Sequence, residues 1–155
     1  MNTPEANVEF FRNLPAPTSP DIELLRPRFA DDFKWHYFND GIPELNKAYH
    51  GFDGWMQFFM DLAKITGGTF NVGLKTIYPI GTELVVVHAL PNMTLDGLSL
   101  ETDAAVVWRI VDGKVAEAWD IPGLNSAIRP QAMQKMTTEE LVKADKARFK
   151  KVVAI

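Results

Sequence analysis

The chain has no cysteine among its 155 residues. That absence excludes disulfide scaffolds, thiolate nucleophiles and cysteine-ligated zinc or iron–sulfur centres. There is no Gly-rich nucleotide or dinucleotide loop, and Gly67-Gly68 reads only as a helix terminator. The three histidines and scattered carboxylates show no metal-ligand spacing, and Ser99 and Ser126 lack a serine-nucleophile context. The expectation is chemistry without a metal or other cofactor. No apolar run approaches a membrane span; residues 84–90 suffice only for a strand. The opening residues lack the basic-then-apolar pattern of a secretory leader, so a cytoplasmic protein with no membrane partner is expected. A net charge of −4 offers no general attraction to phosphate backbones, and no nucleic-acid partner is expected. The one basic cluster, Lys143, Lys146, Arg148, Lys150 and Lys151, is interleaved with Glu139, Glu140 and Asp145 and reads as a solvated helical face.

What is present points to one globular domain. The hydrophobic fraction is 46%, the charged fraction 23%, and four Trp and ten Phe supply a large core. Pro4, Pro15, Pro17 and Pro20 break residues 1–20 into an N-terminal arm with room for a short helix at 5–14. Ser19-Pro20-Asp21 has the chemistry of a helix start, followed by Ile22, Leu25 and Phe29 at helical spacing. Residues 33–38 form an aromatic-rich short strand or extended arm, and Asn39-Asp40-Gly41 a turn. The clearest helix is 52–65, with Asp53 as its cap and an apolar stripe of Trp55, Phe58, Phe59, Leu62 and Ile65. Strands are expected at 69–79, 83–90, 101–111 and 114–121. Asp112-Gly113 is the strongest hairpin signal. Beyond them, Thr138 caps a terminal helix or tail at 139–149. Helices followed by a four-strand meander make an α+β domain, its early helices packed against one face of a mainly antiparallel sheet.

Alternation sorts the final hairpin into faces. Thr102, Ala104, Val106, Trp108 and Ile110 share one side of the first strand. On the return strand Ala116, Ala118 and Asp120 alternate with Val115, Glu117, Trp119 and Ile121. Small residues beside Asp120 leave volume for a cavity, and burial there would raise its pKa toward neutrality, as a proton carrier requires. The structural alternative is that Asp120 accepts backbone hydrogen bonds where the strand ends. His36 and His88 are candidate proton partners, though histidines in such apolar settings are more often satisfied core residues. His50 reads as a solvated turn residue. Tyr37 and Tyr49 are candidate donors to a developing oxyanion. Trp35, Trp55, Trp108 and Trp119 either line a ligand pocket or simply pack the core.

Residues Asp103-Ala104-Ala105-Val106-Val107-Trp108-Arg109-Ile110-Val111-Asp112-Gly113-Lys114-Val115-Ala116-Glu117-Ala118-Trp119-Asp120 resemble the SnoaL-like group of the nuclear transport factor two-like superfamily. Its members often carry a similar strand, an Asp-Gly-Lys turn and an ending close to Glu-x-Trp-Asp. The resemblance implies a cone-shaped domain at 21–126, with a curved sheet, an internal pocket and frequent homodimers, followed by a tail or helix at 127–155. Some relatives are polyketide cyclases using an acidic residue at the strand end for acid–base catalysis of aldol ring closure, and Asp120 occupies that position. Relatives often have His before the Trp-Asp pair where this chain has Ala118, which removes one polar partner. The resulting expectation is a cofactor-independent enzyme acting on a hydrophobic, carbonyl-containing metabolite by cyclisation or isomerisation. Asp120, His36, His88 and Tyr37 are its candidate catalytic residues. The competing expectations are a non-enzymatic small-ligand binder and a structural dimerisation domain.

Overall fold

The structure, a computed structural model, describes residues 2–123. The expected helix after Thr138 and the basic cluster lie outside the described residues. Helix α1 (Pro4–Arg12) starts where the Thr3 hydroxyl accepts from the Ala6 N–H, and it packs against β3. A 3₁₀ segment (Pro20–Arg28) follows, capped by Ser19 as its sequence suggests. Strands β1 (Phe29–Tyr37) and β2 (Ala48–His50) then lead into helix α2 (Gly51–Thr66). The remaining chain is strand: β3 (Asn71–Ile80), β4 (Leu84–Leu95), β5 (Leu98–Glu101), β6 (Ala104–Val111) and β7 (Lys114–Pro122). The sheet runs β2-β1-β7-β6-β4-β3, with β5 on the far end of β4. Every pair is antiparallel except β1 with β7.

Among the described residues seven strands form, where a short strand or arm at 33–38 and a four-strand meander are expected. The extra length is local chemistry repeated. Asp112 and Gly113 both adopt positive φ (50° and 76°), the left-handed pair that a two-residue hairpin needs. Asp96 and Gly97 do the same (49° and 77°), so residues 91–100, between two of the expected strands, hold the β4–β5 hairpin. Pro91 sits where β4 changes partner, after its pairing with β6 ends at Ala89 and before its pairing with β5 begins at Asn92. A proline there removes no ladder bond.

Helix α2 presents Phe52, Trp55, Phe58 and Leu62 to the sheet, all buried. Each contributes about 1.5–3 kcal/mol of hydrophobic stabilisation before entropy is counted. Asp53 does not cap this helix; His50 precedes it without a side-chain cap bond. Asp53 instead pairs with Arg26 at 2.8 Å on the surface. Gly67 closes α2 in the left-handed conformation. Between α2 and the sheet lies an aromatic cluster, with Trp55 against Phe29 (5.0 Å between ring centres), Phe59 (5.4 Å) and Trp108 (5.9 Å). The segment read as an arm belongs to this core, since Phe11 of α1 is fully buried and lies 4.9 Å from Trp108.

Candidate active site

The sheet's inner face and α2 enclose a cavity of about 410 Å³, closed at one side by Phe11 and residues 14–17. Its wall from β3, β4 and β5 is apolar, including Val72, Leu74, Val87, Met93 and Leu100. Among the described lining residues, Tyr37, Asn39, Thr102 and Asp120 carry polar side chains besides the indole N–H groups of Trp35, Trp55 and Trp108, and none is cationic.

Asp120 reaches this space because of strand pairing. On β7 it lies between Tyr37 of β1 and Val106 of β6, in a row that continues to Val87 of β4. Its backbone carbonyl accepts from the Phe38 N–H (3.1 Å), while its carboxyl accepts no hydrogen bond from any described residue. The strand-end role expected of the side chain is therefore performed by the main chain. Desolvation pushes the carboxyl pKa up from 3.8 to about 7, since the charged form is costly in an apolar cavity.

Tyr37 is the neighbouring polar group. Burial, partly offset by a hydrogen bond from Asn39, raises its pKa to about 12, and the Asp120 charge adds to the rise. Its hydroxyl thus stays protonated across the physiological range and is available as a donor. The Asn39 amide donates to the Tyr37 oxygen at 2.7 Å, and its own oxygen accepts from the Gly41 N–H at 2.9 Å. Thr102, also at the wall, donates its hydroxyl to the carbonyls of Gly123 (2.9 Å) and Asp103 (3.1 Å). Asn39 reads from sequence as a turn residue only. Strand parity carried two residues beyond Tyr37 is the signal that places it on the same face.

No family model and no curated protein matches this chain. Solved structures do. Bal32a from a soil-derived mobile gene cassette aligns with a TM-score of 0.67 at 19% identity, covering 79% of this chain and 92% of that one. A protein of ketosteroid isomerase-like fold from Catenulispora acidiphila aligns at 0.56 and 15%, covering 71% and 81%. IdmH from Streptomyces antibioticus, named as a candidate polyketide cyclase, aligns at 0.57 and 19%, covering 80% and 94%. The chain has a ketosteroid isomerase-like fold.

Within this fold the strands separate the expected site residues into two groups. Trp35, Trp55, Trp108, Tyr37 and Asp120 come together at the cavity. His36, His88 and Trp119 do not. Neighbours along a strand point to opposite faces, so His36 next to Tyr37, and Trp119 next to Asp120, must face outward. His88 lies between the inward residues Val87 and Ala89 with the same result. On the outer face His36 bonds Glu117 at 2.8 Å and stacks on Trp119 at 5.7 Å, while His88 pairs with Asp103. The His36 bond and the nearby Arg109 hold the Glu117 carboxyl below its usual pKa. No imidazole among the described residues faces the cavity with Asp120; the polar side chain in register with it on β1 is the phenol of Tyr37. Tyr49 lies off the cavity and donates to the Leu45 carbonyl (3.5 Å), and His50 is exposed.

The space around Asp120 also has a different origin from the one expected. Ala116 is the extra residue of a bulge, because Arg109 pairs with Glu117 while Ile110 pairs with Val115. The bulge turns Val115 inward beside Ala118. Ala118 lies in register between Trp35 and Trp108, whose rings approach to 5.3 Å, and it does not line the cavity. Ala89 and Ala104, paired with each other on β4 and β6, supply the missing volume instead.

Proposed function

We propose that this protein is a cofactor-independent acid–base enzyme acting on a neutral, hydrophobic carbonyl compound, by aldol-type cyclisation or by isomerisation. The observation that supports it most is a single carboxyl, raised to about 7, in an apolar cavity beside a phenol that remains protonated. The Asp120 carboxylate removes a proton from the carbon next to the carbonyl. Tyr37 donates a hydrogen bond to the oxygen that becomes the enolate. The enolate carbon then attacks a second carbonyl of the same molecule and the protonated Asp120 gives its proton to the alkoxide that forms, or Asp120 returns the proton to a different carbon. Both routes conserve atoms and charge, and Asp120 ends ready for the next cycle. The absence of a cationic side chain among the described lining residues favours uncharged substrates, since an anion would meet Asp120 with no counter-charge. Trp35, Trp55 and Trp108 offer flat surfaces suited to a cyclic substrate. The likeness in fold to IdmH is in keeping with this reaction class.

The test is the pH dependence of turnover across a panel of neutral aryl ketones and poly-ketones. Activity is expected to rise through an ionisation at about 7 that vanishes with Asp120→Asn. Activity that is flat in pH, or retained in the folded variant, contradicts the assignment.

The same proposal includes a homodimer through the outer sheet face, where Tyr78, Val86, Val107 and Trp119 form one row across β3, β4, β6 and β7. Ile121 and Phe38 beside that row are about half exposed. Light scattering is expected to give twice the chain mass of 17.4 kDa, and a monomer mass overturns this part.

A further inference from the structure

The polar end of the cavity has a direction. We infer that Asn39 is a positioning residue that forces the Tyr37 hydroxyl to donate into the cavity; this rests on the reading of Tyr37 as oxyanion donor.

A side-chain amide has one accepting end and one donating end. At Asn39 the accepting end is fixed by the main chain, because the Gly41 N–H bonds Oδ1 at 2.9 Å. The amide cannot turn over without leaving that N–H unpaired in a partly buried turn, which is costly. Its Nδ2 must therefore face Tyr37, where it donates at 2.7 Å. The phenol oxygen is thus already an acceptor. Its single proton points elsewhere, and no described residue accepts it.

The surroundings hold Asn39 in place. It is 8% exposed. Its own N–H donates to Asn46 Oδ1 (3.4 Å), and its carbonyl accepts from the Ile42 N–H (3.1 Å). Asn46 is itself tied to Asp40 at 3.0 Å. Gly41 fits the arrangement closely, since a Cβ there would come within 3.1 Å of Asn39 Oδ1. The chain from the Gly41 N–H through the Asn39 amide to the Tyr37 hydroxyl polarises each link in the same sense. That makes Tyr37 a better donor than an isolated phenol. Asn39 and Tyr37 both line the cavity, and Tyr37 pairs in register with Asp120. The donated proton is accordingly delivered beside the carboxyl, where an enolate oxygen would form.

Direction distinguishes positioning from mere support of the turn. Asn39→Asp keeps an oxygen for the Gly41 N–H and preserves the turn, but its ionised carboxylate accepts from Tyr37 and draws the hydroxyl proton out of the cavity. Asn39→Ala loses the turn bond yet leaves Tyr37 free to donate. The experiment uses the Asp120→Asn protein as background, so that no reaction consumes the probe and no second carboxylate competes. A methyl naphthyl ketone with an isotopically labelled carbonyl is the probe, and its carbonyl stretch is read by infrared difference spectroscopy at about pH 9, where an ordinary aspartate is ionised.

The bound carbonyl is expected at lower frequency than in Tyr37→Phe, reporting the hydrogen bond. Adding Asn39→Asp is expected to abolish that shift, Asn39→Ala to retain part of it, and acidification to restore it in Asn39→Asp as the introduced carboxyl becomes a donor. A full shift in Asn39→Asp at about pH 9, or a greater loss in Asn39→Ala than in Asn39→Asp, overturns the inference. The absence of any probe shift that depends on Tyr37 also overturns it. None of these readouts depends on turnover, so failure here is distinct from failure of the catalytic assignment.

Discussion

Asp120→Asn is expected to make the protein more stable above pH 7 while lowering turnover by at least about 100-fold, the lower end of what a positioned acid–base group contributes. The rise in the carboxyl pKa from 3.8 to about 7 means that the folded protein holds this proton where the unfolded chain has released it. Between those values the native state binds more protons, so stability falls as pH rises, and the cost is complete above about 7. At its limit the rise corresponds to roughly 4 kcal/mol. Hydration on the cavity side reduces this to an expected 2–4 kcal/mol, on the order of the linkage energy for such shifts. Asparagine has nearly the same shape and no charge to desolvate. Urea unfolding of both proteins is expected to give equal stabilities near pH 4, diverging in favour of the variant up to about pH 7 and running parallel above it. A variant that is less stable at every pH would mean that the carboxylate is favourably paired, contrary to its setting in the structure.

Trp55→Ala is expected to cost about 3–5 kcal/mol, the range for deleting a large buried aromatic ring. Trp55 is 1% exposed and touches rings from three elements: Phe29 and Trp35 of β1, Phe59 of α2 itself, and Trp108 of β6. It therefore joins the helix to both sheet neighbours of β7, the strand that carries Asp120. Against a typical total of about 5–15 kcal/mol the loss is a large share. Trp119→Ala, on the outer face, is the control and is expected to cost less in a monomeric background. A loss of under about 1 kcal/mol for Trp55→Ala would mean that the wall behind the cavity is loosely packed rather than close-packed.

The final hairpin was legible in the sequence because its determinants are local. Asp112-Gly113 sets the turn, and alternation along β6 correctly groups Ala104, Val106, Trp108 and Ile110 as one buried face. Alternation grouped Asp120 with Ala118 but left open which face lines a cavity, and the bulge at Ala116 separates Asp120 in parity from the start of its strand. What could not be read locally is the parallel pairing of β1 with β7. Those strands are far apart in sequence, and no turn chemistry announces their register. That pairing brings Tyr37 to Asp120 and, by the same alternation, sends His36 outward. His36 and Tyr37 cannot share one site, because adjacent strand residues diverge. Asn39 reads from sequence as a turn residue because its turn chemistry is genuine. The Asx-type bond to Gly41 and the bond to Tyr37 use opposite ends of the same amide.

The central claim is that the Asp120 carboxyl is carried into an apolar cavity and kept near its proton-exchange point at physiological pH. NMR titration of the Asp120 side-chain carboxyl carbon in the ligand-free protein tests this most directly, with Asp120→Asn identifying the resonance. The expected midpoint is about 7. A midpoint close to 4, the value of an ordinary solvated aspartate, would contradict it.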